Sequence, residues 1–252
     1  MSVLTGSIVA GWLALAVAGP VSVQAPSVDA AASPEAARAA MIDLIELKVR
    51  SMADQTGVAT LDRRVVRAFG AVPRHAFLPE AFAPYAYLDT PLPLGHGQNL
   101  TMPLIAALMT QLLEVRPGER VLETGTDIGY HAAILSNLGA EVYSVEIVAP
   151  LLAVARDRLP ALGHGKVRLK GGDGWYGWAE EGPYDAILLK ESAAEIPPPL
   201  WRQLKPGGRL IMPLGPPNGQ DLVRIVKEAD GKPRIQKVLP VRFAPFQGGE
   251  RT

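Results

Sequence analysis

The sequence predicts a doubly wound α/β fold, with a mainly parallel, twisted sheet of about seven strands and helices on both faces. Three stretches carry this expectation. Val121–Ser136, VLETGTDIGYHAAILS, reads as a strand, a glycine-containing turn and a helix, the opening βα unit of such a sheet. Glu141–Ile147, EVYSVEI, is a second strand that ends in an acid. Tyr184–Leu189, YDAILL, is close to a continuous apolar run, as expected of a strand covered on both faces.

The 252 residues are enough for one full α/β domain with additions and a substantial core. With 25 basic and 25 acidic residues the net charge is zero, and no basic stripe is present, which argues against a nucleic-acid partner. There is no cysteine, so disulfides and thiolate catalysis are excluded. The four histidines, His75, His96, His131 and His164, show no metal-ligand spacing, so no metal is expected.

At the amino end, residues 2–28 carry no charged side chain, and Ile8–Val23 is mostly apolar. The small-residue pattern Val23-Gln24-Ala25 follows, then Pro26. Residues 1–25 are therefore expected to be a secretory signal peptide cleaved after Ala25, with an uncleaved membrane anchor as the alternative. Residues 26–33 read as a linker, 34–115 as N-terminal helices with a substrate or cap loop region, and 116–252 as the ligand-binding domain. Ser33 is a candidate N-cap with Pro34 at the first helical position, and Ile42, Ile45, Val49 and Met52 form the buried stripe of that helix. Gly57 breaks the chain. Thr60 is expected to cap a second helix, with Leu61, Val65, Ala68 and Phe69 on one face. Pro73, Pro79 and Pro84 then punctuate a loop-rich stretch.

The sheet supplies the site. The turn after Glu123 brings Gly125 and Gly129 close to a ligand at a helix N-terminus. Glu146 lies about twenty residues beyond that turn, the spacing at which a carboxylate accepts from ribose hydroxyls. A third strand, Lys166–Lys170, runs into GGDGWYG, where Asp173 is positioned for a base amino group. Leu204–Gly215, LKPGGRLIMPLG, reads as a helix end, a turn and a fifth strand. The strands at Val121, Val142, Val167, Ala186 and Leu210 are expected to be central. Glycine and acid at successive strand ends indicate a nucleoside pocket along the carboxyl edge of the sheet. A dinucleotide-binding loop is the nearest competitor, but its pyrophosphate needs a glycine where this chain has Asp127.

The order of VPRHAFLPE (Val72–Glu80), YLDTPLPLGHGQ (Tyr87–Gln98), the Val121 loop, VYSVEI, GDGWYGW, EIPPPL (Glu195–Leu200), LKPGGRLIMPLG and VRFAPF (Val241–Phe246) resembles the protein-L-isoaspartate O-methyltransferase family. The resemblance covers about Val65 to Gly248. It implies a Rossmann-like methyltransferase sheet that uses S-adenosyl-L-methionine, and methyl transfer to isoaspartyl residues of damaged proteins or peptides. It implies a catalytic role for Thr101, where the family carries serine, with His96, Gln98 and Thr101 toward the substrate. Asn99, Glu123, Gly125, Asp127, Gly129, Glu146, Asp173 and Gly174 would hold the cofactor. The residues depart from the family pattern at Asp127, where a glycine is expected, and at Lys190-Glu191-Ser192, where the family has small residues. Lys190 and Glu191 are read either as a solvated pair or as a filling or rebuilding of the pocket, and Lys190 as a candidate partner for Asp127. Thr101 carries a second reading as a helix cap ahead of Pro103. These departures, with the expected export, leave an alternative: a catalytically silent, exported protein of this fold that binds a periplasmic or membrane partner. Export implies a periplasmic location, whereas the family resemblance alone implies the cytoplasm.

Overall fold

A computed structural model describes residues 33–248, so the expected signal peptide at 1–25 and nearly all of the 26–33 linker lie outside the described residues. Among the described residues no helix is long and apolar enough to cross a membrane.

Helix α1 (Pro34–Ser51) starts where capping chemistry dictates: Ser33 Oγ accepts the Ala36 N–H at 3.2 Å, and Pro34 takes a position that needs no N–H. Its inward face is Met41, Ile45 and Val49, with Ile42 and Met52 only partly buried. Helix α2 (Ala53–Thr56) ends at Gly57, which adopts φ 71°. Asp62, rather than Thr60, caps helix α3 (Arg63–Ala71) by accepting the Arg64 N–H at 2.7 Å. A carboxylate gains from the helix dipole as well as from the hydrogen bond, which a threonine hydroxyl does not. Leu61, Val65, Ala68 and Phe69 are buried as expected. The proline-rich stretch holds only helix α4 (Arg74–Phe77) and a 3-10 turn, Glu80–Tyr85.

A small antiparallel hairpin follows, β1 (Leu92–Gly95) and β2 (Gln98–Leu100). Its tip is His96 (φ 54°) and Gly97 (φ 72°), left-handed backbone that a tight hairpin turn requires. Helix α5 (Pro103–Leu113) is buried at every position but Gln111, so it runs through the core rather than along the surface.

The main sheet has seven strands: β3 (Arg120–Thr124), β4 (Glu141–Glu146), β5 (Arg168–Gly171), β6 (Tyr184–Leu189), β7 (Leu204–Leu214), β8 (Gln220–Lys227) and β9 (Pro233–Val241). Their order is β5-β4-β3-β6-β7-β8-β9. The first five pair in parallel, and β8 and β9 add an antiparallel hairpin at one side. β3 and β4 are neighbours in parallel register, with Val121 opposite Val142. The third strand is an edge strand rather than a central one, and starts at Arg168. The Leu204–Leu214 segment is strand throughout: helix α8 (Pro198–Gln203) ends before it, and the expected turn is a bulge. There Leu204 faces Tyr184 while Arg209 already faces Ala186.

Alternation along each strand divides the core in two. Val121, Val142, Ala186, Leu188 and Ile211 meet α1, α3, α5, helix α6 (Tyr130–Asn137) and helix α7 (Ala149–Ala161). Leu122, Ile187, Leu189, Leu210 and Met212 face the opposite layer, closed by α8, Trp175, Trp178 and Phe246. Both faces are covered, one thickly and one thinly. The chain reverses its winding direction between β3 and β6, so the carboxyl ends of β3, β4 and β6 open on a common crevice.

The inward face of α1 is directly testable. Ile45→Ala should cost about 2–5 kcal/mol in urea unfolding, while Leu47→Ala, on a residue 58 % exposed, should change stability by less than about 0.5 kcal/mol. Equal effects would contradict the packing of α1 on the core.

Candidate active site

The crevice is built from three strand ends. After β3 the chain turns through Gly125 (φ 69°), Asp127 (φ 53°) and Gly129 (φ 90°) into α6. Aspartate is among the residues that best tolerate a left-handed backbone, so the turn forms without the glycine. Glu146, at the end of β4, braces it: one carboxylate oxygen accepts the Asp127 N–H and the other accepts the Val148 N–H, both at 2.7 Å. A carboxylate has about four acceptor sites, so Glu146 keeps capacity toward the cavity that it lines.

Lys190, at the end of β6, lies beneath this loop. Its ammonium is 3.0 Å from Glu123 Oε1 and 3.1 Å from Asp127 Oδ2. All three side chains are almost wholly excluded from solvent. Glu123 also accepts from Ser144 Oγ at 2.6 Å, and Ser144 in turn meets Thr126 Oγ1 at 2.6 Å. Burial alone would push the Lys190 ammonium down, but its two carboxylate neighbours hold it above its ordinary range. The reading of Lys190 as a solvated residue at the loop mouth is therefore corrected: it is the buried counter-ion of Asp127.

Glu191 points to the other side. Its Oε2 accepts the Thr124 hydroxyl at 2.6 Å. Its Oε1 lies over Gly125, where a Cβ would meet it at 2.6 Å. Burial, opposed by the Thr124 bond and reinforced by the charges of Asp127 and Glu146, pushes the Glu191 carboxyl up to about 8.

The opposite wall is the segment from β2 into α5. Thr101 and Met102 line the cavity. Thr101 is not the helix cap: the N-cap is Met102, and the Leu104 N–H is taken by Asp89 Oδ1 at 2.9 Å, with Asp89 Oδ2 2.6 Å from Lys48 Nζ. The Thr101 carbonyl accepts from the buried guanidinium of Arg74 at 2.9 Å, which also donates to Ala86 O at 2.9 Å and lies 4.9 Å from the Tyr130 ring centroid. Among the described residues the Thr101 hydroxyl has no hydrogen-bond partner, so it is free to face a ligand.

Between these walls is a cavity of ≈ 410 Å³, a size suited to a small organic ligand. Gln98, Asn99, Thr101, Gly125, Asp127, Glu146 and Gly174 line it. Four other expected site residues do not. Glu123 is committed to Lys190 and Ser144 beneath the loop. Gly129 lies against Leu159, where a Cβ would meet the side chain at 2.9 Å, so its role is packing of α6 on α7. Asp173 caps the following turn through the Trp175 N–H at 2.9 Å and abuts Gly248. His96 is at the exposed hairpin tip, while its neighbour Gly97 lines the cavity. Sequence reading gave no role to the third wall, Val241–Gln247, nor to Ile147 and Val148. The signal was present in VRFAPF, an apolar and aromatic segment beyond the last strand. Among the described residues no group of histidine and acid side chains is arranged to hold a metal.

Comparison with known proteins places this geometry. The family model for protein-L-isoaspartate(D-aspartate) O-methyltransferase matches residues 49–251. Protein-L-isoaspartate O-methyltransferase 1 of Cupriavidus necator is 47% identical over 236 residues, covering 93% of this chain and 90% of that protein. Protein-L-isoaspartate O-methyltransferase 2 of Polaromonas sp. is 47% identical over 209 residues, covering 82% of this chain and 99% of its own. A solved protein-L-isoaspartate O-methyltransferase superposes with TM-score 0.71 at 28% identity, over 84% of this chain and 66% of that one. A chain from Plasmodium falciparum, crystallised with S-adenosyl-L-homocysteine, shares the fold with TM-score 0.68 at 23% identity, over 82% of this chain and 97% of its own.

The charge arrangement yields two expectations. Lys190→Met should destabilise the protein by about 3–5 kcal/mol, because it strands two buried carboxylates. The loss should be larger at pH 8 than at pH 5, where those carboxyls take up protons; urea unfolding at both values is the check. Glu191 bears the opposite sign. Its folded carboxyl sits at about 8 against an ordinary 4.5, so its contribution to stability is complete below the ordinary value and is lost as pH rises toward 8. Glu191→Gln removes that slope. The variant should gain on the parent across this window by roughly 1–3 kcal/mol, a discounted figure because Glu191 keeps an open face.

Proposed function

The chain belongs to the protein-L-isoaspartate O-methyltransferase family, and on that premise we propose that it transfers a methyl group from S-adenosyl-L-methionine to the carboxylate of L-isoaspartyl residues in damaged proteins or peptides. The observation that carries this reading is a continuous cavity of ≈ 410 Å³ that joins the β3 and β4 strand ends to the Thr101 segment.

The residues present fit the cofactor. Glu146 keeps acceptor capacity at the end of β4, which suits ribose hydroxyls. Gly174 leaves room beside Thr124 and Phe246, where a Cβ would meet Thr124 at 2.8 Å. At the amino-acid end Asp127 would oppose the cofactor's carboxylate, but its charge is offset by Lys190, which it shares with Glu123. When bound, the cofactor supplies an electrophilic methyl group on a positively charged sulfur. The substrate brings its own nucleophile, a carboxylate already ionised near neutral pH, so no general base is required. Thr101 donates its hydroxyl to that carboxylate and so orients it. Arg74 and Asp89 hold the segment on either side of Thr101, which keeps the hydroxyl in place. The Val241–Gln247 wall reduces water access. Catalysis of this kind rests on positioning.

Transfer of labelled methyl to an isoaspartyl peptide, with the matching aspartyl peptide as control, tests the reading. Thr101→Ser should retain turnover, and Thr101→Ala should lower kcat by about tenfold or more. Equal labelling of both peptides would reject the substrate assignment. Absence of transfer and of cofactor binding would favour the silent, partner-binding alternative.

Localisation follows from sequence alone: the uncharged apolar run and Val23-Gln24-Ala25 support export to the periplasm. N-terminal sequencing of the protein from its native host should begin near Pro26, and recovery of Met1 from the cytosol would reject export.

A further inference from the structure

We propose that Glu191 is the residue with which this site recognises the positive charge of the methyl donor, so that the chain selects the sulfonium cofactor over its uncharged demethylated product. The inference rests on the methyltransferase reading above. It goes further by assigning a specificity role to a side chain for which the family pattern has a small residue.

The position is specific. Glu191 lines the cavity, is anchored through one oxygen to Thr124 at 2.6 Å, and holds the other directly over Gly125. Gly125 lines the cavity and carries no side chain, so a ligand packed against its backbone meets this oxygen. Four carboxyl groups converge here: Glu123 from β3, Asp127 from the loop, Glu146 from β4 and Glu191 from β6. They face one buried ammonium, Lys190. Lys190 is already engaged by Glu123 and Asp127 and does not reach Glu191 within ion-pair distance among the described residues. The remaining cation on the cavity wall, Arg242, is an exposed residue of the C-terminal segment. A second buried cation, Arg74, is hydrogen-bonded to the Ala86 and Thr101 carbonyls and acts on Asp127 only through its field. Ion pairing with Lys190 thus accounts for Glu123 and Asp127 and leaves Glu146 and Glu191 with no cation in ion-pair contact among the described residues. Donor and product carry the same amino and carboxylate groups. They differ by one positive charge on sulfur, and a negative floor in a partly dry site favours the charged form.

Proton exchange provides a signature. Burial keeps the Glu191 carboxyl mostly protonated near neutral pH. A cation entering the site favours the ionised form, so the Glu191 proton leaves to the buffer as the donor binds. The uncharged product gives no such drive. Donor binding should thus release protons that product binding does not.

Titration calorimetry of the full chain with S-adenosyl-L-methionine and S-adenosyl-L-homocysteine, in two buffers of different ionisation enthalpy at pH 7, tests this. The parent should bind the donor with proton release and favour it over the product. Glu191→Gln keeps the shape and should remove most of that release, while lowering the donor-to-product affinity ratio by about tenfold. Glu191→Ala, which restores a small side chain, should lower the ratio similarly and serves if the glutamine variant does not fold. An unchanged ratio, or equal strengthening of both ligands, would show Glu191 to be a plug and overturn the inference while leaving the methyltransferase reading standing. Failure of parent and variants to bind either ligand would overturn both.

Discussion

The ammonium of Lys190 is the charge on which the site loop depends. It lies between Glu123, the last acid of the first core strand, and Asp127, the residue that replaces a glycine in the turn. Without it, two carboxylates almost wholly excluded from solvent would lack a counter-ion, and such a loss costs far more than the pair contributes by its attraction. With it, Asp127 can point inward and leave its backbone N–H to Glu146. The turn is then fixed from below by an ion pair and from the side by a hydrogen bond. An acid in the glycine turn, read alone, suggests damage. An acid with a dedicated buried counter-ion is a different construction of the same turn.

The second half of the site is fixed by another buried cation. Arg74 draws Ala86 O and Thr101 O together, so the proline-rich segment and the approach to α5 share one donor. Asp89 completes this by supplying the acceptor that the first turn of α5 lacks. Because α5 is buried on nearly all sides, its start cannot shift without disturbing the core. The position of Thr101 is thus set by packing some distance from the cavity. The floor depends on a lysine between acids and the wall on an arginine between carbonyls. The two are linked only through the field that Arg74 exerts on Asp127, and a ligand in the cavity would touch both.

What could be read from the sequence divides by range. Ser33 with Pro34, Gly57 and the strand at Tyr184–Leu189 are local signals, and each is found where its chemistry requires. Thr60 failed against Asp62 because both are capping residues two positions apart and the carboxylate adds dipole energy. Lys205–Gly208 has the composition of a turn and of a bulge alike, and only the pairing of Leu204 with Tyr184 distinguishes them. Gly129 and Asp173 have motif spacing, yet the contacts that define them come from Leu159 and Gly248, which no local pattern indicates. The wall at Val241–Gln247 was visible as a motif but not as a wall, because its place depends on the direction taken after β9.

Lys190 and Glu191 show why adjacent residues can have opposite roles. At the end of a strand successive side chains point to opposite faces. Lys190 turns beneath the loop to Glu123 and Asp127, and Glu191 turns above it to Thr124 and Gly125. A change at Asp127 alone would leave Lys190 in a one-to-one pair with Glu123 under the loop and remove what ties Lys190 to the turn. A change at Lys190 alone would leave two acids unmatched. Glu191 makes no ion pair with either residue and feels them only through their fields, since its oxygens go to Thr124 and toward the cavity. Lys190 therefore answers to the fold and Glu191 to the ligand, and a replacement of the pair by small residues would remove a structural counter-ion and a recognition group together.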